Sequence, residues 1–510
     1  MRIESWLSII YRLTTVLVVG GVLIAVFFAF LGSGYSLVFS QSAFPPTGVA
    51  SNQNQPNVLL IIVDDLRAEL NDYTQPPVRT PHINKLSEEG ITFLNAYCQK
   101  AICVPSRQSF LTGMRPDSFG AGFNNHFRKR LPDHSTLPQQ FKQHGYRTES
   151  VGKVFHHRDS ISWNAPSWVP TPELSYPIYR TEENLAVQRD RIARGEYFPK
   201  DSLWWASGGK WVPAGVWEAP DVADDQLTDG VIASYALERF RALKDTTFFM
   251  AVGFFRPHIP FIAPQKYYDL YPLNSINLPT DSLLPLDAPS VAKNDRGEWR
   301  KYHQVPAQGM PNKITQREYI RGYLASVSYV DAQIGRLLNG LDELGLQDNT
   351  IVVLMSDHGY HLFDKASFGK KTNYEGSTRV PLIMKAPSLS RGGVETNYLL
   401  ELIDLYPTLC DLADIPVPSS LPGTSFAEAL QKPDLPGKQA AYSQFFRQGF
   451  RGNSVRTNRY RYTAWTGKDT THYELYDYLR NPEETYNKID EPSYQGQITI
   501  LSDLLHEVFE

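Results

Sequence analysis

Two short runs constrain the fold more than anything else in this chain. Asn57-Val-Leu-Leu-Ile-Ile-Val63 ends in Asp64-Asp65, and Thr350-Ile-Val-Val-Leu-Met-Ser356 ends in Asp357-His358. A continuous apolar run has no face left for solvent, so each reads as a strand buried on both sides of a parallel sheet, with charge at its carboxyl end. Thr247 to Gly253 repeats the pattern and leads into Arg256-Pro257-His258. Tyr146 to Gly152 is a weaker fourth run, followed by Lys153 and His156. Ligands of open α/β sheets bind outside the carboxyl ends of the strands, so these charged ends are expected to share one site.

Helical patterns fall between the runs. Pro81 to Glu89 is stopped by Gly90, residues 315–345 place Leu324, Val327, Ile334, Leu338, Leu341 and Leu344 at helical spacing, and Leu402 to Ala413 is stopped by Ile415-Pro416. Strands alternating with helices predict an α/β fold. From about residue 440 the texture changes. Ser454 to Trp465 alternates aromatic and polar residues like an antiparallel strand, Tyr473 to Asp477 and a turn at Asn481-Pro482 follow, and a last helix starts near Gln495. This predicts a smaller C-terminal α+β subdomain. Residues 160–225 hold Trp163, Trp168, Trp204, Trp205, Trp211 and Trp217 in sequence broken by Pro and Gly, which reads as loop-rich packing or a platform for sugar rings.

The length of 510 residues allows one large domain and a smaller one. A net charge of −4 leaves no basic excess to neutralise phosphates, so nucleic acid is excluded as a general partner. An anionic substrate would need a local cationic pocket. Three cysteines, Cys98, Cys103 and Cys410, are too few for a disulfide framework. Arg2 and Arg12 precede the apolar run Leu13 to Leu31, the pattern of an export signal and near the length of a membrane anchor. We expect an exported protein, periplasmic or secreted, with a signal peptide or N-terminal anchor at 1–43 and a linker at 44–56. A catalytic domain is expected at 57–440 and the subdomain at 441–510. The absence of any Asn-x-Ser/Thr sequon favours a bacterial envelope.

One cysteine has a distinctive setting: Cys103-Val104-Pro105-Ser106-Arg107, continuing to Leu111-Thr112-Gly113. Pro105 suits the first turn of a helix, which puts residue 103 at a helix N-terminus, where free N–H groups favour an anion. Asp64, Asp65, Asp357 and His358 supply oxygen ligands for a hard cation, and the imidazole suits Zn²⁺ or Mn²⁺ as well. The C-x-P-S-R element resembles that of the formylglycine-dependent sulfatase family. Val151-Gly-Lys153-Val-Phe-His156 resembles the family's G-K-x-F-H element, and Pro257-His258-Ile-Pro260-Phe261 its P-H-x-P-F element. His358, in place of an Asn common in the family, is found in the iduronate-2-sulfatase branch and its bacterial relatives.

The resemblance spans about Asn57 to Tyr486 and implies an alkaline-phosphatase-like, mixed but mostly parallel sheet flanked by helices. It implies hydrolysis of sulfate esters, with Cys103 oxidised to formylglycine by a formylglycine-generating or anaerobic sulfatase-maturing enzyme. Ca²⁺, ahead of Mg²⁺ or Mn²⁺, would be held by Asp64, Asp65, Asp357, His358 and residue 103. Arg107, Lys153 and Lys370 would stabilise sulfate, Lys370 being preferred to Lys371 by counting back from Val380-Pro381-Leu382. His156 would serve as base for sulfate elimination and His258 as acid or sulfate ligand. A sulfated carbohydrate is the implied substrate. Phe363-Asp364 stands where relatives often have Gly-Glu, and the tryptophan-rich segment has no placed counterpart, so the sugar itself is not carried over. Two other readings stay open: a formylglycine-dependent phosphonate or phosphodiester hydrolase, and a non-catalytic relative that binds sulfated glycans.

Overall fold

A computed structural model describes residues 55–69, 77–120, 126–170, 179–196, 198–199, 210–294, 298–306, 308–387, 389 and 391–509. The expected signal or anchor, most of the linker, and Trp204 and Trp205 lie outside the described residues. No helix among the described residues is long and apolar enough to cross a membrane.

The central sheet has eight strands: β1 (Asn57–Val63), β2 (Ile91–Tyr97), β3 (Arg147–Gly152), β4 (Phe248–Phe254), β5 (Thr350–Ser356), β6 (Arg379–Val380), β7 (Leu382–Lys385) and β8 (Val394–Glu401). Its spine runs β2-β7-β5-β1-β4-β3, with β6 and β8 also paired to β2. β6 and β7 run antiparallel to their neighbours, whereas β8 with β2, and β5, β1, β4 and β3 among themselves, are parallel. The sheet is therefore mixed but mostly parallel, as expected. All seven residues of β1, β4 and β5 are buried. Successive residues of β1 serve opposite faces: Leu59, Ile61 and Val63 join one core, and Val58, Leu60 and Ile62 the other. That two-sided burial is why these strands carry no polar alternation.

Helices cover both faces. α1 (Pro81–Glu89), α2 (Cys103–Thr112), α3 (Glu182–Ala193), α4 (Thr228–Leu243), α5 (Lys313–Glu343) and α6 (Leu405–Leu412) precede the C-terminal α7 (Gln495–Phe509). Phe240 of α4 and Val327 and Ile334 of α5 pack in the first core; Phe110 of α2 and Leu409 of α6 pack in the second. Asn312 starts α5 by accepting a hydrogen bond from the Thr315 N–H (2.9 Å), close to the expected boundary.

The segment 160–225 contains the 12-residue α3, and most of its other described residues lie outside helices and strands. Glu182 and Glu183 favour its N-terminus, and no Gly or Pro interrupts it. Trp163 is buried, and Trp168 stacks on Tyr235 at 3.9 Å. One local expectation is corrected: the stretch 454–465 is not one strand. It is divided between β10 and β11 of a four-stranded antiparallel sheet, β9 (Ala441–Arg447), β10 (Phe450–Arg456), β11 (Tyr460–Thr466) and β12 (Thr471–Asp477). A turn intervenes, closed by the Thr457 N–H on the Tyr460 carbonyl (2.8 Å). α7 packs Leu501, Leu504 and Leu505 with Val455, Tyr462 and Leu475 of this sheet, giving the C-terminal subdomain its own small core.

Candidate active site

Strand register decides where the charges emerge. Val63 of β1 lies opposite Ser356 of β5 and Phe254 of β4, so Asp64 and Asp357 leave the sheet side by side. Gly152 of β3 lies opposite Gly253 of β4, and the Lys153 N–H donates to the Gly253 carbonyl at 2.8 Å. Any Cβ at Gly253 would sit 1.7 Å from the Lys153 oxygen, so this close approach requires glycine. The turn after β1 is equally fixed. Asp65 has a left-handed backbone, its N–H donates to Asp357 Oδ1 (3.2 Å), and its carbonyl accepts from the Tyr323 hydroxyl of α5 (2.7 Å).

α2 supplies the remaining centre. It begins at Cys103 after an extended Ile102, and all ten of its residues are buried. Cys103 Sγ lies 3.1 Å from Lys370 Nζ and 3.4 Å from His358 Nε2. One turn on, Arg107 is fully buried and acts as a fork. Its Nε donates to Asp357 Oδ2 (2.8 Å), Nη2 to Asp64 Oδ1 (3.2 Å), and Nη1 to the carbonyls of Lys153 and Val154. Lys153 pairs with the other oxygen of Asp64. Lys370 also donates to Asp65 Oδ1 (2.7 Å), and His358 Nδ1 is 3.3 Å from the same oxygen.

The structure thus brings Asp64, Asp65, Cys103, Arg107, Lys153, Asp357, His358 and Lys370 into one polar cluster. His258 stands at its rim, with Nε2 3.9 Å from Asp65 Oδ2 and 3.8 Å from Glu298 Oε2. His156 is beside the cluster, its ring edge-on to His157 at 5.3 Å. Burial lowers the pKa of His156 well below the usual histidine range, and the charges of Lys153, His157 and Arg107 add to the effect.

Electrostatics distinguish the members. Burial alone would raise Asp64, but Lys153, His258, Arg107 and Lys370 outweigh it and hold the carboxyl well below its ordinary range. Burial pushes Asp65 up to about 8; Lys370 opposes the shift and the charge of Asp64 adds to it. Burial also raises the Cys103 thiol, helped by Asp64 and opposed by Lys153 and Lys370. A thiol shifted upward is not poised as a thiolate nucleophile.

A cation fits the carboxylates. Asp64, Cys103, Asp357 and His358 each offer a ligand atom, all within 4.8 Å of one another and all buried. Asp65 is outside that group, but its Oδ2 is buried without a hydrogen-bond partner. A buried carboxylate oxygen in that state is costly, and oxygen donors of this kind suit Ca²⁺ or Mg²⁺.

Several supporting residues carry no local sequence signal. Asp229, in the first turn of α4, accepts from the N–H groups of Phe255 (2.8 Å) and Arg256 (2.9 Å), fixing the chain that carries His258. Asn294 donates to the carbonyls of Phe368 and Lys370. Neither an acid at a helix start nor a lone Asn in a loop announces such a role.

Residues 56–415 match the family described as Sulfatase, and residues 360–510 match the N-sulphoglucosamine sulphohydrolase C-terminal family. The chain belongs to the sulfatase family. Iduronate 2-sulfatase of Mus musculus is 33% identical to it, with 86% of this chain and 92% of the relative aligned. The fold is the alkaline-phosphatase-like one of solved relatives. An enzyme in complex with D-glucosamine-2-N,6-O-disulfate superposes with a TM-score of 0.68 at 22% identity, covering 89% of this chain and 97% of the other. The phosphonate monoester hydrolase of Silicibacter pomeroyi gives 0.67 at 22% identity, covering 89% and 95%. This sulfatase is accordingly a sulfuric ester hydrolase, and its family implies a metal ion and a formylglycine in general.

Proposed function

We propose that this sulfatase removes sulfate from sulfated carbohydrates, using a formylglycine made from Cys103 by a formylglycine-generating or anaerobic sulfatase-maturing enzyme. The observation that carries the reading is the position of Cys103: first residue of a buried helix, in contact with Lys370 and His358 and surrounded by Asp64, Asp357 and Arg107. A hydrated formylglycine supplies a geminal diol, of which one hydroxyl attacks sulfur while the other allows sulfate to leave as the aldehyde re-forms. A plain serine or cysteine would need a second displacement.

The chain's own residues do the rest. Arg107, Lys153 and Lys370 concentrate positive charge where sulfate oxygens must sit, favouring the transition state electrostatically. His258 donates from Nδ1 to the Ile259 carbonyl (2.7 Å), and burial, with Lys370 and Lys153, lowers its pKa, so Nε2 is bare. It would pass a proton to the leaving alcohol only after taking one up as the imidazolium favoured by a bound sulfate dianion or ester. The lowered pKa of His156 keeps its imidazole neutral, the state a base requires. Asp64, Asp65, Asp357 and His358, with residue 103, would hold Ca²⁺, which supplies Lewis-acid polarisation of a sulfate oxygen. We further propose an exported protein, on the strength of Arg2, Arg12 and the run Leu13 to Leu31, with a catalytic domain at 57–440 and a subdomain at 441–510.

Mass spectrometry of the peptide around residue 103, from protein made in its native host, tests the central claim. Conversion replaces the thiol by an aldehyde and lowers the mass; an unmodified thiol in active protein would sink the reading. Chelation is expected to abolish turnover, with recovery on adding Ca²⁺ and not Zn²⁺; recovery with Zn²⁺ alone would refute the choice of metal. Aryl sulfate is expected to be cleaved faster than an aryl phosphodiester.

A further inference from the structure

Lys370 reaches Asp65 and Cys103 from the loop that follows β5, and one histidine ties that loop together. His361–Leu362 pairs antiparallel with Phe368–Gly369, which sets His361 opposite Gly369. The His361 ring is completely buried, and both of its nitrogens are engaged. Nδ1 donates to Asp364 Oδ2, three residues on, and Nε2 lies 2.8 Å from the Thr372 hydroxyl, eleven residues on. Lys370 falls between those two contacts in the chain. A single imidazole therefore closes the loop that delivers it.

Each contact is anchored in turn. Asp364 Oδ1 accepts from Arg67 Nη1 (2.8 Å) and from the Leu362 N–H (2.8 Å). The Arg67 N–H donates to the Tyr323 hydroxyl (2.9 Å), the same group that donates to the Asp65 carbonyl. On the far side, the Thr372 hydroxyl lies 2.9 Å from Ser377 Oγ and accepts from the Tyr374 N–H (3.3 Å). Gly376 closes on the ring, where a Cβ would stand 3.0 Å from both His361 Cε1 and Asp364 Oδ2. A line of hydrogen bonds thus runs from the Asp65 turn through Arg67, Asp364 and His361 to Thr372. Its side chains stand apart from the cluster around Cys103, yet each of its ends carries a member of that cluster.

The lysine needs such a frame. Its ammonium is a point charge on a flexible four-carbon stem, with none of the built-in geometry of a guanidinium. Where it sits must be set by the backbone beneath it, and Lys371 just beyond has a left-handed φ of 81°. A backbone of that kind persists where its surroundings over-determine it. We propose that His361, held by Asp364, is a positioning residue that sets Lys370 against the sulfate ester. The proposal deepens the sulfatase reading above and rests on it, because that reading places Lys370 on sulfate.

Three substitutions cut the line at different points. His361→Asn keeps a donor near the place of Nδ1 and loses Thr372, His361→Gln keeps the reach to Thr372 and loses Asp364, and Thr372→Val removes the hydroxyl at similar shape. In native-host protein with Cys103 converted, each is expected to lower kcat/KM for an aryl sulfate roughly 10- to 100-fold. The same substitutions in a Lys370→Ala background should change the remaining rate less than about twofold, since the group they position is gone. Equal losses in both backgrounds, or no loss in the first, would overturn the proposal. Urea unfolding confirms that the compared proteins are folded, and Thr372→Val carries the test if the histidine variants do not fold.

Calorimetry of inorganic sulfate on Cys103→Ala protein, with Ca²⁺ present, separates this claim from the reaction. His361→Asn should weaken binding about 10-fold when Lys370 is present and leave it unchanged when Lys370 is alanine. That pattern, in a protein whose wild type turns over no sulfate ester, would leave the positioning role standing and defeat the sulfatase mechanism. Its absence would defeat the positioning role whatever the turnover.

Discussion

Arg107 shows how much one side chain can carry. It is completely buried, and its fork reaches two carboxylates from two strands and two carbonyls beyond a third. Lysine would keep the charge but not the geometry, since an ammonium is a point and a guanidinium a planar set of donors. Arg107→Lys is expected to lower turnover at least about 100-fold and to cost about 3 kcal/mol of stability in metal-free protein, because buried partners lose donors. Single-turnover kinetics and urea unfolding check the two parts separately. Phe363 makes the opposite point. Its φ of 77° is a glycine conformation, yet the ring is buried and packs edge-on to Tyr319 (5.1 Å), Phe368 (5.3 Å) and Trp299 (6.1 Å). Phe363→Gly would relieve about 1 kcal/mol of backbone strain and lose about 3–5 kcal/mol of packing, so the variant should unfold at lower urea. The sequence shows Phe363-Asp364 only as a departure from Gly-Glu; the reason for tolerating it lies in three rings, two of them, Tyr319 and Trp299, distant in the chain.

At the level of elements, α4 and α5 act on the site without contributing a reacting group. Asp229 at the start of α4 holds two N–H groups ahead of Pro257-His258, and Tyr323 of α5 holds the Asp65 turn through its carbonyl and the Arg67 N–H (2.9 Å). Asp229→Ala leaves both buried donors unmet and is expected to cost about 2–4 kcal/mol. If it acts through His258, KM for an aryl sulfate should change less than kcat; unchanged kcat would reduce Asp229 to a structural role. These contacts mark the limit of what could be read beforehand. β1, β4 and β5 were legible because burial on both faces leaves an unbroken apolar run. β2 and β8 were not, since half-buried positions interrupt their pattern. Cys103, Arg107 and the strand-end charges were legible as local motifs, and Lys370 by counting. Asp229, Tyr323, Asn294 and Glu298 were not, because each takes its meaning from a partner far along the chain.

Across the whole molecule, charged clusters join the main sheet to the C-terminal part. Glu401, at the end of β8, is fully buried and receives Arg115 through both oxygens (2.7 and 2.8 Å), Lys438 (2.6 Å) and the Tyr442 N–H (3.0 Å). Burial would raise its carboxyl, but Arg115 and Lys438 bring it from the ordinary 4.5 down to about 2. Because the folded value is the lower one, the unfolded chain binds the proton first. The stabilisation is complete above about pH 4.5 and is lost as the pH falls toward 2. Glu401→Gln should therefore destabilise the protein by about 3 kcal/mol near neutrality, and the difference from wild type should shrink across that window. A constant difference down to pH 2 would show that the charge is not what matters there.

The burial of Cys103 also sets an order of events. The chain just before it is closed over by later segments: the Lys371 N–H binds the Ala101 carbonyl, the Gln444 N–H the Gln99 carbonyl (2.9 Å), and the Ser443 hydroxyl the Cys98 carbonyl (2.6 Å). Under the formylglycine proposal, a converting enzyme would find this peptide accessible only until those segments exist and dock. Several hundred residues separate the emergence of Cys103 from that of Gln444, which at about 5–20 residues per second leaves tens of seconds. On that proposal, docking of Lys371 and of β9 would close the window for modification, and chains that fold first would keep their sulfur.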